Sequence, residues 1–159
     1  PFRRPVQMAT DTSGSYEYIM HALEHYEKEG RQYDVIVLLQ PTSPLRRADQ
    51  LKSMLQSFSS EMDMMVSVQE ARHNPVCVSF VEDDKGRLQR LFKEESTLRQ
   101  KVPTVYDYNG AFYLMNVQSL KQGSYNEFKD IRKFVMDEVS SLDIDTPLDW
   151  EFAEFIMQK

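Results

Sequence analysis

Residues 35–39 read Val-Ile-Val-Leu-Leu, and Pro41-Thr42-Ser43-Pro44 follow after a single glutamine. A helix needs a longer apolar run, and a strand with one wet face would alternate. The run therefore predicts a strand buried on both faces, as in parallel sheets covered by helices. Its surroundings agree. Upstream, the small polar residues 11–15 precede Tyr16, Ile19, Leu23 and Tyr26, which share one helical face, and Gly30 is a plausible stop. Downstream, the pattern predicts a helix from about Ala48 to Phe58 and a strand from about Met64 to Val68. Helices alternating with strands make the chain α/β.

The rhythm then changes. Val76–Val81 and Leu88–Phe92 flank Asp83-Asp84-Lys85-Gly86, which predicts a hairpin. Residues 93–104 are charged and lack clear periodicity. Ala111–Met115 and Lys133–Met136 read as strands, and a last helix should start at Thr146-Pro147 and reach Met157. The reading is one domain, residues 1–159, an α/β sandwich with an antiparallel excursion at about 71–108. That excursion packs either on its own domain or on a second subunit.

A net charge of -6 and a pI near 5.1 argue against a nucleic-acid-binding module. The single cysteine, Cys77, has no internal disulfide partner and reads as a small buried hydrophobe in a reduced, cytoplasmic setting. No apolar run approaches the roughly 20 residues that span a bilayer. The chain opens Pro1-Phe2-Arg3-Arg4-Pro5, with neither an initiator methionine nor a leading strand, and reads as starting partway through a protein.

Four segments carry candidate chemistry. Gln40, Thr42 and Ser43 follow the buried strand, and ligands gather at the carboxyl ends of strands in open α/β sheets. The two flanking prolines stiffen this loop, so a rigid connection is the plain alternative. Ser13 and Ser15 stand at a helix start, where free N–H groups and the helix dipole favour an anion, with Arg4 adding charge; simple capping is the alternative. If residues 142–145 are extended, Asp143 and Asp145 project to one side and Ile144 to the other. Paired carboxylates suit a hard divalent cation such as Mg²⁺. The neighbouring Thr146-Pro147-Leu148-Asp149 is a capping box with proline at the first helical position, and these residues are assigned to structure. Finally, Arg99 and Gln100 precede Asn109-Gly110. An arginine there suits a substrate carboxylate, and a solvated loop with an Asn-Gly turn is the alternative. His21 and His25 lack both the zincin pattern and a third ligand.

In this order the segments resemble the acylneuraminate cytidylyltransferase family, the CMP-sialic acid synthetases. Those that carry the resemblance are Arg4-Pro5 through Ser13, His21-Ala22-Leu23-Glu24, Leu38 to Arg46, Val66-Ser67-Val68, Arg99-Gln100, Asn109 to Tyr113 and Leu142 to Thr146. The resemblance implies a Rossmann-like nucleotidyltransferase fold, an α/β/α sandwich whose hairpin-rich insertion serves dimerisation. It implies a homodimer that condenses CTP with a nine-carbon 2-keto sugar acid, giving the CMP-sugar and pyrophosphate. It assigns Asp143 and Asp145 to metal binding and catalysis, Arg4 and Ser15 to the nucleotide, and Gln40 and Arg99 to the sugar acid. Tyr125 or Phe128 matches aromatics near the sugar. The family's phosphate loop should precede Pro1. A departure is Asp107, where some members carry arginine; a carboxylate pointing inward there would repel a sugar carboxylate. The rival reading is a non-catalytic chain that binds a sugar acid at most.

Overall fold

The computed structural model describes residues 2–9, 14–92 and 102–159. A four-stranded sheet is its centre, in the order β1-β5-β2-β6. The strands are β1 (Val35–Leu38), β2 (Met64–Glu70), β5 (Tyr106–Asn116) and β6 (Ile131–Val135). β5 runs antiparallel to both β1 and β2, and β2 runs parallel to β6. Thus β1, β2 and β6 share one direction, and β5 runs against them. This is an open mixed sheet of the Rossmann-like α/β type.

Both sheet faces are covered, as alternating side chains on β2 and β5 require. On one face Met64, Val66, Val68 and Met115 pack with Ile19 and Leu23 of α1 (Ser15–Lys28) and with Val117 and Leu120 of α4 (Val117–Gln122). On the other, Met65, Ala111, Phe112, Leu114 and Met136 pack with Met54 of α2 (Ala48–Ser57). The chain ends in α5 (Pro147–Met157), whose capping box forms as the sequence requires. Thr146 Oγ1 accepts from the Asp149 N–H at 3.3 Å, and Asp149 Oδ2 accepts from the Thr146 N–H at 2.7 Å.

Several expectations are corrected. β1 is half-buried rather than buried on both faces, with Val37 exposed, and its paired neighbour β5 is antiparallel. Its apolar run answers to the two helical layers; among the described residues it has a strand on one side only. Residues 76–78 are not strand but part of the short helix α3 (Pro75–Val78). Asn74 caps it by accepting from the Val76 N–H at 3.1 Å, and Pro75 is pre-set for the first helical position. The hairpin therefore consists only of β3 (Phe80–Glu82) and β4 (Leu88–Arg90). Asn109-Gly110 is no turn: it lies inside the long strand β5. The helix α4 was not anticipated, although Asn116 caps it by accepting from the Gln118 N–H at 2.8 Å.

Candidate functional site

Three segments far apart in sequence meet at one end of the sheet: the loop after β1, the middle of β5 and the stretch between β6 and α5. The Ile144 N–H donates to the Thr42 carbonyl at 2.9 Å, which pins the two loops together. The Ser43 hydroxyl lies 3.2 Å from the Asn109 carbonyl and 3.4 Å from Asp143 Oδ1. Arg46 reaches back to the Gln40 carbonyl and holds the Pro41–Pro44 loop closed. On the opposite side of that loop, Arg47 donates to Ser140 Oγ at 2.7 Å and to Asp137 Oδ2 at 3.2 Å. The turn that leads into Asp143 is thereby tied to the start of α2.

The pairing of β2 with β5 is interrupted. Val66 faces Tyr113, and Val68 faces Tyr108, so two steps along β2 match five along β5. The extra residues form a large bulge around Asn109-Gly110, with Gly110 at φ 73°. The odd number of inserted residues has a consequence for the side chains. Without it Tyr108 and Tyr113 would point to opposite faces; with it they meet edge to face, with centroids 6.2 Å apart. Bulges of this kind re-aim side chains beside functional sites.

Tyr108 and Tyr113 line a cleft of about 440 Å³ together with Ser15, Leu38, Gln40 and Tyr125. Its volume is within the range of small-molecule sites. Asp143 stands at the margin of the cleft, against Gly110 in the bulge between Tyr108 and Tyr113, and burial, with the Asp143 carboxylate adding to it, pushes the Tyr113 phenol above its ordinary pKa. Ser15 occupies the first helical position of α1, behind the N-cap Gly14, which makes no side-chain capping bond. Ser15 therefore does not cap the helix, the alternative raised for Ser13 or Ser15, and it lines the cleft instead. The Arg4 guanidinium stacks over Tyr18 of the same helix, 5.3 Å from the ring centre.

Gln40, Ser15 and Asp143 are therefore brought to one cleft and its margin. Asp145 is exposed just beyond, and its N–H donates to Asp149 Oδ2 at 3.2 Å. Thr42 is half-buried and serves through its carbonyl. Ser43 and Asn109 take a different place. Ser43 is 0% and Asn109 2% exposed, and both side chains are used within the protein. Asn109 donates to Ser141 Oγ at 2.9 Å and accepts from the Ser67 hydroxyl at 2.6 Å. Ser13, Arg99 and Gln100 lie outside the described residues. The sequence reading missed Tyr113 and Tyr108 as cleft residues. Their signal was period-2 spacing broken by Asn-Gly, legible only once a bulge is allowed within the strand. Asp107 alternates to the face opposite Tyr106 and Tyr108, away from the cleft.

The two carboxylates that flank Ile144 are hard oxygen donors of the kind Mg²⁺ prefers. Among the described residues no group of three or more His, Cys, Asp or Glu could hold a metal by itself. Mg²⁺ typically takes one or two carboxylates and fills its remaining positions with substrate phosphates and water.

No family model matches the chain. Among curated proteins it is 29% identical over 99% of its length to the post-translational flagellin modification protein B of Campylobacter coli, spanning 68% of that protein. It is 31% identical over 98% of its length to an N-acylneuraminate cytidylyltransferase of Escherichia coli, spanning 36% of it. It is 26% identical over 99% of its length to a CMP-N,N'-diacetyllegionaminic acid synthase of Legionella pneumophila, spanning 68% of it. Among solved structures, the 4-diphosphocytidyl-2C-methyl-D-erythritol synthase of Anaerococcus prevotii superposes with a TM-score of 0.62 at 11% identity, over 93% of this chain and 66% of that one. A CMP:2-keto-3-deoxy-manno-octonic acid synthetase complexed with CTP gives 0.58 at 13%, over 93% of this chain and 69% of that one. At such identities the two structures speak for the fold alone. The chain thus spans between about a third and two-thirds of the curated relatives.

Proposed function

We propose that the chain is a member of the acylneuraminate cytidylyltransferase family, as its likeness to the curated relatives supports, and that it works in the transfer of CMP from CTP to a nine-carbon 2-keto sugar acid. The observation that carries this reading is that Ser15 and Gln40, from elements distant in sequence, line one cleft with Asp143 at its margin against Gly110. In the reaction the anomeric oxygen forms a bond to the α-phosphorus, the bond to the bridging oxygen of pyrophosphate breaks, and the hydroxyl proton leaves. Such displacement depends chiefly on positioning and charge neutralisation.

The residues divide the work. Gln40 offers a carboxamide, donor and acceptor together, to the sugar's hydroxyl and N-acyl groups. Tyr108, Tyr113 and Tyr125 pack against its carbon skeleton. The N-terminus of α1 at Ser15, with Arg4 beside it, offers N–H groups and positive charge to phosphate. Asp143 and Asp145 would hold Mg²⁺ at the margin of the cleft. Bound there, the cation would neutralise charge that develops on the phosphates. Because Asp107 turns away from the cleft, it puts no repulsive charge on the substrate carboxylate. N-acylneuraminate and the legionaminate type both remain substrates for this site.

A homodimer is part of the proposal. The β3–β4 hairpin and its flanks expose Val78, Phe80, Val81, Leu88, Leu91 and Phe92. An apolar surface so clustered suits a second copy. Among the described residues no helix is long and apolar enough to cross a membrane. A cytoplasmic site, where CTP is at hand, completes the reading.

The test is pyrophosphate release by the intact protein with CTP, Mg²⁺ and a panel of nine-carbon keto-sugar acids. Release with one acid, abolished in Asp143→Asn, supports the proposal. No release with any acid from folded protein would favour a sugar-acid binder without catalysis.

A further inference from the structure

The bulge in β5 does more than turn two tyrosines onto one face. It carries the Gly110 backbone against the carboxylate of Asp143. A Cβ built on Gly110 would stand 3.2 Å from Asp143 Oδ2 and 3.2 Å from Ser43 Oγ. Any side chain there would push into both groups, and the φ of 73° already disfavours one. The fully buried Ser43 stands at the other carboxylate oxygen, its Oγ 3.4 Å from Asp143 Oδ1, and shares its single proton with the Asn109 carbonyl at 3.2 Å. The neighbouring backbone is fixed too, since the Ile144 N–H donates to the Thr42 carbonyl at 2.9 Å. Asp143 is thus backed by a hydroxyl at one oxygen and a bare Cα at the other.

We propose that Ser43 and Gly110 are positioning residues that set the orientation of the Asp143 carboxylate for a divalent cation. The inference rests on the proposed metal role of Asp143. The buried Asn109 supports the arrangement from below. Its carboxamide, bonded to Ser67 and Ser141, fixes the bulge that carries Gly110. Partners of this kind hold a carboxylate in one rotamer, so the cation does not have to order it on binding. Removing such a partner typically weakens metal affinity about 10–100-fold.

The experiment is Mn²⁺ titration of the intact protein, read by loss of the free-ion signal in electron paramagnetic resonance. The proteins compared are the wild type, Asp143→Asn, Ser43→Ala and Gly110→Ala. A second readout is the Mg²⁺ concentration that half-activates turnover at saturating CTP. Ser43→Ala should weaken Mn²⁺ binding about tenfold and Gly110→Ala by up to about a hundredfold. In both, added Mg²⁺ should restore most of kcat, as misplacement of a ligand predicts and its loss does not. Should Gly110→Ala fail to fold, Ser43→Ala carries the test alone. If Asp143→Asn loses Mn²⁺ while Ser43→Ala binds it like the wild type, the positioning inference is overturned and the metal reading stands. Wild-type Mn²⁺ affinity in Asp143→Asn would overturn the metal reading, and this inference with it.

Discussion

Replacing Asn109 with alanine separates a structural residue from a substrate contact. The side chain is 2% exposed and makes both kinds of hydrogen bond. Its oxygen accepts from the Ser67 hydroxyl at 2.6 Å and from the Ala111 N–H at 3.3 Å, and its nitrogen donates to Ser141 Oγ at 2.9 Å. In Asn109→Ala the Ser67 hydroxyl can turn to the Phe112 carbonyl, already 3.1 Å away, and stay satisfied. The Ser141 oxygen and the Ala111 N–H lose a partner. A buried polar group left unpaired costs about 1–3 kcal/mol, and the long Ala111 bond belongs near the bottom of that range. The expected loss is about 3 kcal/mol. At about 2–4 °C per kcal/mol for a chain of this size, the melting temperature should fall by about 6–12 °C. Differential scanning calorimetry measures it, with the exposed Ser57→Ala as a control expected to stay within about 0.5 kcal/mol. Unchanged melting with a raised KM for the sugar acid would refute the argument, because the carboxamide would then be serving substrate.

Other expectations follow from the same geometry. Thr146→Ala removes the side-chain cap of α5 and should cost about 1 kcal/mol by chemical denaturation; no change would mean that the Asp149 bonds suffice alone. Among the described residues hydrogen bonds hold five carboxyls below their ordinary pKa: Asp63 by the Ser119 hydroxyl and the Asp130 and Lys129 N–H groups, Asp83 by Arg87, Asp130 by Arg132, Asp137 by the Ser140 N–H and hydroxyl, and Asp149 by Thr146. A depressed folded pKa contributes stability above the unfolded value near 4 that is lost as pH falls through the folded value. Melting temperature should therefore be flat above about pH 5 and drop below about pH 4, and Asp63→Asn should shrink that drop. Phe80→Asp with Leu88→Asp puts charge on the exposed hairpin, and sedimentation should show monomer where the unaltered protein is dimeric; a persistent dimer would place the interface elsewhere.

Much of the order of elements was legible because most announced themselves locally, although α3 and α4 did not. Thr146-Pro147-Leu148-Asp149 fixed the start of α5 to the residue, since a capping box is decided within four neighbouring positions. The apolar stretch at β1 announced a strand but overstated its burial, because sequence does not show how many strands flank it. The bulge was hidden for another reason. Asn-Gly favours turns when water surrounds it, and only the tertiary partners Ser67, Ser141 and Asp143 make it a strand interruption. The same gap explains the site. Asp143 and Gln40 were nominated by their segments, whereas whether Ser43 and Asn109 face the cleft or the interior depends on residues up to 100 positions away. Tyr113 was unremarkable in sequence and became a cleft residue through the parity of the bulge.

We propose that the anomeric oxygen of a nine-carbon sugar acid attacks the α-phosphorus of CTP in this cleft. This step is tested most directly with acid carrying ¹⁸O at the anomeric hydroxyl, turned over by the intact protein and followed by ³¹P nuclear magnetic resonance. The expected outcome is a CMP ester whose phosphorus signal shows the isotope shift of a bridging ¹⁸O, unlabelled pyrophosphate, and neither product with Asp143→Asn. A CMP product without the label, or the same yield from Asp143→Asn, would contradict it.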